Sequence, residues 1–253
     1  MIYAIVFIIG LLMGSFYNVC IYRIPREESI AFPPSHCTSC GTKLIWMDLI
    51  PVISYIFIKG KCRYCHEKIS PKYPLVELLT GFIFLVLFVK FQLSWTFAAY
   101  TILSSILIIA TLIDLKYQII PDGLVIVGAI AGIILSISGL SGDWLNSLIG
   151  MLIGGGTFLL VAILSVLILK KEGMGGGDIK LMGMIGLFAG WKLTALSILL
   201  SIYLGGIIGG CLLLFRIKKR GDHIPYGPFI AIGTFIAILY GNEIIQWYLQ
   251  KFL

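Results

Sequence analysis

Residues 2–22 read Ile2-Tyr-Ala-Ile-Val-Phe-Ile-Ile-Gly-Leu-Leu-Met-Gly14-Ser-Phe-Tyr-Asn18-Val-Cys20-Ile-Tyr22, with no Lys, Arg, Asp or Glu. A bilayer core about 30 Å thick is crossed by roughly 20 apolar residues in a helix, and this run has that length. It has no Ala-x-Ala-like cleavage site, so it is expected to stay as a first membrane helix rather than to be removed as a signal peptide. Similar blocks recur at about Leu75–Phe91, Trp95–Leu115, Gly123–Leu140, Trp144–Leu169, Ile179–Gly190, Leu193–Phe215 and Phe229–Tyr248. The expectation is an all-α polytopic membrane protein of about eight helices. The sixth block is short and Gly-rich, and is expected to break or to fall short of a full span. Composition agrees: of 253 residues 59% are hydrophobic and 12% charged. Too few polar residues remain to cover a soluble globule of this size, and disorder is excluded by the same figures.

Between the first two blocks lies the longest polar stretch, 23–74. The expected division is therefore 1–22 as a first helix, 23–74 as a loop domain and 75–253 as a helical bundle. Lys and Arg orient the chain. With the first helix starting outside, the inner segments receive Arg23, Arg26, Lys43, Lys59, Lys61, Arg63, Lys68 and Lys72, then Lys116, then Lys170, Lys171 and Lys180, then Arg216, Lys218, Lys219 and Arg220. Only Lys90, Lys192 and Lys251 fall outside. This bias accounts for the net charge of +7 without nucleic acid, through loops that face anionic lipid headgroups. No heptad, low-complexity tract or 20–50-residue repeat is read from the sequence.

Four of the six cysteines form Cys37-Thr-Ser-Cys40 and Cys62-Arg-Tyr-Cys65. Two such knuckles suit a closed, four-sulfur tetrahedral zinc site. Gly41 after the first knuckle helps that turn close. In the reducing compartment implied by the orientation, two disulfides are the disfavoured alternative. A site closed by four protein ligands is structural, and would staple a loop too small to fold well alone. His36 and His66 adjoin the knuckles. Cys20 and Cys211 lie in apolar blocks and read as small buried residues.

Two carboxylates stand where membrane begins. Asp114 ends the third block, and Asp178 opens the sixth after Gly173-Met-Gly-Gly-Gly177. An ionisable group at membrane depth is a functional candidate because its charge is costly there. Two at one depth suggest an aspartic-protease pair sharing one proton, in which the charged member activates water and the protonated one donates to a carbonyl. The glycines are expected to permit a tight turn and close substrate approach. Asp122, after Pro121, is a weaker candidate for the same chemistry and reads rather as a cap of the fourth helix.

These features, in order, resemble the type IV prepilin peptidases, or prepilin leader peptidase/N-methyltransferases, of the GxGD aspartic protease group. The likeness runs through Gly14-Ser-Phe-Tyr-Asn18-Val with Arg23-Ile-Pro25, Pro33-Pro-Ser with both CxxC pairs, Asp48-Leu-Ile-Pro51-Val-Ile-Ser54-Tyr, and Ile69-Ser-Pro71-Lys-Tyr-Pro74-Leu-Val-Glu77. It continues in Asp114-Leu-Lys with Ile120-Pro-Asp122, Gly173-Met-Gly-Gly-Gly177-Asp178-Ile-Lys180, and Ile224-Pro-Tyr-Gly-Pro228. The resemblance implies cleavage of the short basic leader of prepilin-like proteins, after a glycine and before an apolar helix, at the cytoplasmic face of the bacterial inner membrane. It also implies N-methylation of the new N-terminus from S-adenosylmethionine. By position, Asp114 and Asp178 would be catalytic, and Cys37, Cys40, Cys62 and Cys65 the family cysteines. No Gly-rich turn after a strand marks a nucleotide site; Asn18, Arg23 and Glu77 are candidates toward the methyl donor, with helix packing and helix-end complementarity as their structural alternatives. Rival readings are a peptidase without methylation, an ion relay through the two aspartates, and a non-catalytic scaffold with a docking loop.

Overall fold

The computed structural model describes residues 1–140, 143–170, 173–217 and 224–252; of Leu169 only the backbone is described. Lys171, Lys218, Lys219 and Arg220, used above for orientation, lie outside the described residues. The helices are α1 (Ile2–Arg23), α2 (Ile53–Phe57), α3 (Lys72–Phe91), α4 (Trp95–Tyr117), α5 (Asp122–Ile137), α6 (Trp144–Leu164), α7 (Gly176–Leu214) and α8 (Gly227–Phe252). Among the described residues, six are long and apolar enough to cross a membrane, and α5 is a shorter apolar helix. The all-helical membrane architecture expected from the sequence is the one observed.

The chain forms two compact units, Met1–Leu93 and Ser94–Leu253. In the first, α1 and α3 run antiparallel. A side chain at Gly14 would place its Cβ 2.7 Å from the Glu77 Cα, and one at Gly10 as close to the Gly81 Cα. Backbones this near leave no room for a Cβ, so small residues set the pairing. The loop between the two helices carries the cysteine knuckles and the short helix α2.

In the second unit, α7 is not one rod. Gly190 adopts φ 69° and ψ 172°, a conformation open to glycine and strained for other residues. The chain reverses there, so that the arms 176–189 and 191–214 both reach α6: a Cβ on Gly154 would meet the Met182 carbonyl and, at 3.1 Å, the Thr194 methyl. The backbones of Gly150 and Gly186 approach too closely for any side chain. Asn146 completes the corner, its Oδ1 accepting the Trp191 N–H at 3.1 Å. The short sixth block and the seventh are thus the two arms of a helical hairpin, and the break expected in the sixth block falls at its end. Counting the arms separately, all eight apolar blocks are helical.

Helix starts follow local chemistry. The Ser94 side chain caps α4 by accepting the Phe97 N–H, and Asp143 caps α6 by accepting the Leu145 N–H, as hydroxyl and carboxylate caps do. Asp122 departs from the cap read for it. Pro121 is the N-cap of α5 and makes no side-chain cap. The Asp122 carboxylate instead binds Lys180 Nζ through both oxygens, at 2.8 and 2.9 Å. An ammonium partner outcompetes the backbone N–H because both members are charged.

Candidate active site

At one rim of the second unit, α4 ends, α7 begins and α8 begins. Asp114 lies in the last turn of α4, with 5% of its surface exposed. Its Oδ2 accepts the Gly227 N–H at 2.9 Å, one of the orphan donors at the start of α8. Asp178 lies in the first turn of α7 and is half-buried. Beside Gly227 stands Tyr226, whose phenol burial pushes above its ordinary pKa; a hydrogen bond to Ser201 opposes the rise and the Asp178 charge adds to it. Asp114 and Asp178, distant in sequence, thus stand at helix ends of one unit, with Asp114 bonded to Gly227 and the Asp178 charge felt at the neighbouring Tyr226. A Cβ on Gly227 would stand 2.8 Å from Asp114 Oδ2, so glycine is the residue that lets this N–H reach the carboxylate. Tyr226 and Gly227 were quoted as part of a motif in the sequence but given no role; a Gly-Pro helix start following a Tyr is the only local signal they carry.

The glycines before Asp178 need no left-handed backbone. Among the described glycines only Gly41, Gly60, Gly139 and Gly190 have positive φ, so Gly173 and Gly175–Gly177 lie outside the left-handed region. They supply clearance. A Cβ on Gly175 would come within 3.1 Å of Asp178 Oδ2, and one on Gly177 within 2.8 Å of the Ile120 Cβ. Two residues beyond Asp178, Lys180 is tied to Asp122. From there a furrow of about 440 Å³ runs between α5, α6 and the first arm of α7, lined by Val125, Ile126, Met151, Ile179, Met184 and Leu187 among others. It is charged only at its mouth, at Asp122 and Lys180.

In the first unit, the Sγ atoms of Cys37, Cys40, Cys62 and Cys65 lie within 4.8 Å of one another, and Cys37 Sγ is 3.9 Å from Cys65 Sγ. Tetrahedral zinc with bonds of about 2.3 Å separates its sulfurs by about 3.8 Å, so this donor set fits that ion. None of the four is in a disulfide. The thiols compete for protons. Hydrogen bonding from Thr42 holds Cys40 down to about 6. Cys65 has a favourable Glu67 backbone bond, yet desolvation and its three sulfur neighbours push it up to about 12. Four thiolates this close need a cation to coexist.

The two knuckles are copies. Cys37 N–H donates to Thr42 O and Leu44 N–H to Ser35 O; 25 positions on, Cys62 N–H donates to Glu67 O and Ile69 N–H to Gly60 O. Gly41 (φ 71°) and His66 (φ 59°) occupy the same left-handed position. The loop thus contains a short structural repeat that the sequence reading missed, because beyond the cysteines the two copies share little more than Lys43/Lys68 and Leu44/Ile69.

Asn18, Arg23 and Glu77 stand at the loop end of α1 and α3. Asn18 Nδ2 donates to Tyr73 O at 3.1 Å. The buried Arg23 guanidinium donates to Ser29 O and Pro33 O at 2.9 and 2.7 Å. Glu77 Oε2 accepts the Val52 N–H at 2.7 Å. Each side chain holds a different stretch of backbone, and these bonds do not gather the three into one donor set.

Against this geometry, comparison with known proteins is decisive. Residues 8–91 match the bacterial peptidase A24 N-terminal domain, and residues 101–210 match the type IV leader peptidase family. The chain belongs to the type IV leader peptidase family. Proteins named prepilin leader peptidase/N-methyltransferase are similar over almost the full length: one from Pseudomonas aeruginosa is 35% identical, covering 96% of this chain and 92% of its own. One from Bacillus subtilis is 36% identical, covering 99% of both. One from Aeromonas hydrophila is 32% identical, covering 99% and 95%. No solved structure matches. The two family matches divide the chain close to where its two compact units meet in sequence, so the leader peptidase match holds both aspartates and the N-terminal match holds the cysteine loop.

Proposed function

We propose that this membrane protein is a prepilin leader peptidase/N-methyltransferase, an aspartic endopeptidase in which Asp114 and Asp178 form the catalytic pair. The observation that supports the reading is the buried Asp114 carboxylate bonded to the Gly227 N–H at the start of α8, beside a tyrosine that feels the Asp178 charge. One carboxylate is ionised and removes a proton from water as its oxygen attacks the scissile carbonyl carbon. The other is protonated and donates to the carbonyl oxygen. Collapse breaks the C–N bond, with the proton delivered to the leaving amine. The Gly227 N–H steadies the Asp114 carboxylate throughout. The furrow beginning at Lys180 has the apolar character suited to the helix that follows the cleavage point in a prepilin, and Lys180 and Asp122 mark its mouth.

The thiol site fits structural zinc, held by Cys37, Cys40, Cys62 and Cys65. S-adenosylmethionine is the methyl donor that the relatives' name implies. Asn18, Arg23 and Glu77 are engaged with backbone, which supports a role in shaping the loop, and no step is derived through the donor at these residues. The Lys and Arg distribution supports placement in the bacterial inner membrane, with the dyad rim and the cysteine loop facing the cytoplasm and with prepilins or pseudopilins as substrates. The test is to incubate the purified protein with a prepilin, with and without S-adenosylmethionine, and to weigh the substrate. Leader loss plus one methyl is expected. Leader loss alone leaves only the peptidase, and an unchanged mass overturns the reading in favour of a relay or scaffold.

A further inference from the structure

One apolar surface of the first unit lies apart from its thiol cluster. Residues 50–58 read Ile-Pro-Val-Ile-Ser-Tyr-Ile-Phe-Ile, without a charge, inside a stretch that is otherwise polar. Within it, α2 turns Ile53, Ile56 and Phe57 to one side, at spacings of three and four that share a helix face. They are 50, 67 and 81% exposed. The inward side is occupied: the Tyr55 hydroxyl donates to Ile69 O at 3.4 Å, its ring lies over Gly60, and Pro51 is buried. The outward stripe is therefore not the loop's own core.

The height of this stripe is set by a bond. Val52 N–H donates to Glu77 Oε2, and Glu77 is 7% exposed, five residues into a helix long and apolar enough to span. Val52 takes φ 61°, costly for a β-branched residue, and α2 starts from that bond. On the same helix as Glu77, Leu75 and Leu79 are exposed apolar residues, so apolar surface exists at this level on both elements. Lys59 and Lys61 follow α2 directly, whereas Arg63 beyond them is paired with Asp48 at 2.9 Å. Both ends of the loop are held covalently by α1 and α3.

We propose that α2 is an interfacial anchor. Ile53, Ile56 and Phe57 insert at the headgroup–acyl boundary of the protein's own bilayer, and the following basic residues meet anionic headgroups. The Val52–Glu77 bond then fixes depth as well as fold, and it holds the four-thiol knuckles on the water side of the anchor. The inference rests on the membrane reading alone and is independent of the catalytic assignment.

The full chain is reconstituted in phosphatidylethanolamine/phosphatidylglycerol vesicles with p-benzoylphenylalanine replacing Ile56 or Phe57, and in a third sample Tyr64. Ultraviolet irradiation is expected to add the mass of a phospholipid at 56 and 57 and not at 64. Hydroxyl-radical footprinting of the unmodified protein provides an independent reading: Phe57 is expected to stay unoxidised in vesicles while Tyr64 is oxidised. Crosslinking of 56 and 57 to a second copy or to an added prepilin, equal lipid adducts at all three positions, or oxidation of Phe57 as readily as Tyr64 would each overturn the proposal.

Discussion

The two units hold their chemistry in opposite ways. In Met1–Leu93 the four thiols come from two turns, each a few residues long, and every turn supplies its pair through local hydrogen bonds. In Ser94–Leu253 each carboxylate stands alone on its helix, and tertiary packing supplies the surroundings: α8 gives Asp114 the Gly227 N–H, and Tyr226 beside it feels the Asp178 charge. A site assembled from local turns tolerates change elsewhere in its unit. A site assembled from helix ends depends on the helices and on every backbone atom between them. The contrast can be broken or sharpened by mutation.

The largest effect is expected at the dyad. Asp114→Asn and Asp178→Asn should each reduce leader cleavage by about 10²–10⁴-fold or more, the range of general acid–base contributions. The double variant should be little worse, because the pair acts as one unit. Retention of substantial cleavage by either single variant in membranes would falsify the assignment. Next comes Gly227→Ala. It alters no titratable group, yet its methyl would press on the buried Asp114 carboxylate. Cleavage is expected to fall nearly as far as in the aspartate variants while circular dichroism stays unchanged. Normal cleavage by Gly227→Ala would show that the second unit does not depend on this backbone placement.

For the first unit, Cys→Ser at any of the four knuckle positions should release the metal, read as loss of about one zinc per chain and as faster proteolysis within 37–65. Helix content should hold, since the membrane helices do not need the ion. Finding Cys37–Cys40 and Cys62–Cys65 disulfides in protein purified under reducing conditions would contradict the metal assignment. A smaller change is expected from Glu77→Ala, which orphans the Val52 N–H at a cost of about 1–3 kcal/mol. It should lower methylation more than cleavage, and Asn18→Ala and Arg23→Ala should do likewise. Equal loss of both activities would mean that the loop also cradles the peptidase substrate. The smallest effect belongs to Asp122→Asn, which breaks an exposed ion pair worth about 0.2–1 kcal/mol. Cleavage should change by a few-fold at most, measured as initial rate against salt.

Much of this was legible in one dimension because it rests on composition and spacing. A membrane helix announces itself by length and apolarity, and two CxxC pairs announce a tetrahedral thiolate site because each pair is completed within a turn. The apolar run around α2 was hidden by the longer polar stretch containing it. The knuckle repeat was hidden because its likeness lies in hydrogen bonds rather than side chains.

What the sequence by itself determined was therefore the membrane class, the eight apolar segments, the four clustered cysteines and the two carboxylates as a pair worth joining. What only the tertiary structure decided was the reversal at Gly190, the pairing of Asp122 with Lys180, the meeting of Asp114 with the Gly227 N–H, and the burial of Glu77 against Val52. The physical reason is range. Hydropathy and turn chemistry act between neighbours along the chain, whereas these four features depend on backbone atoms and side chains from different helices or loops coming within hydrogen-bond or van der Waals distance. That distance is set by where small residues let backbones touch.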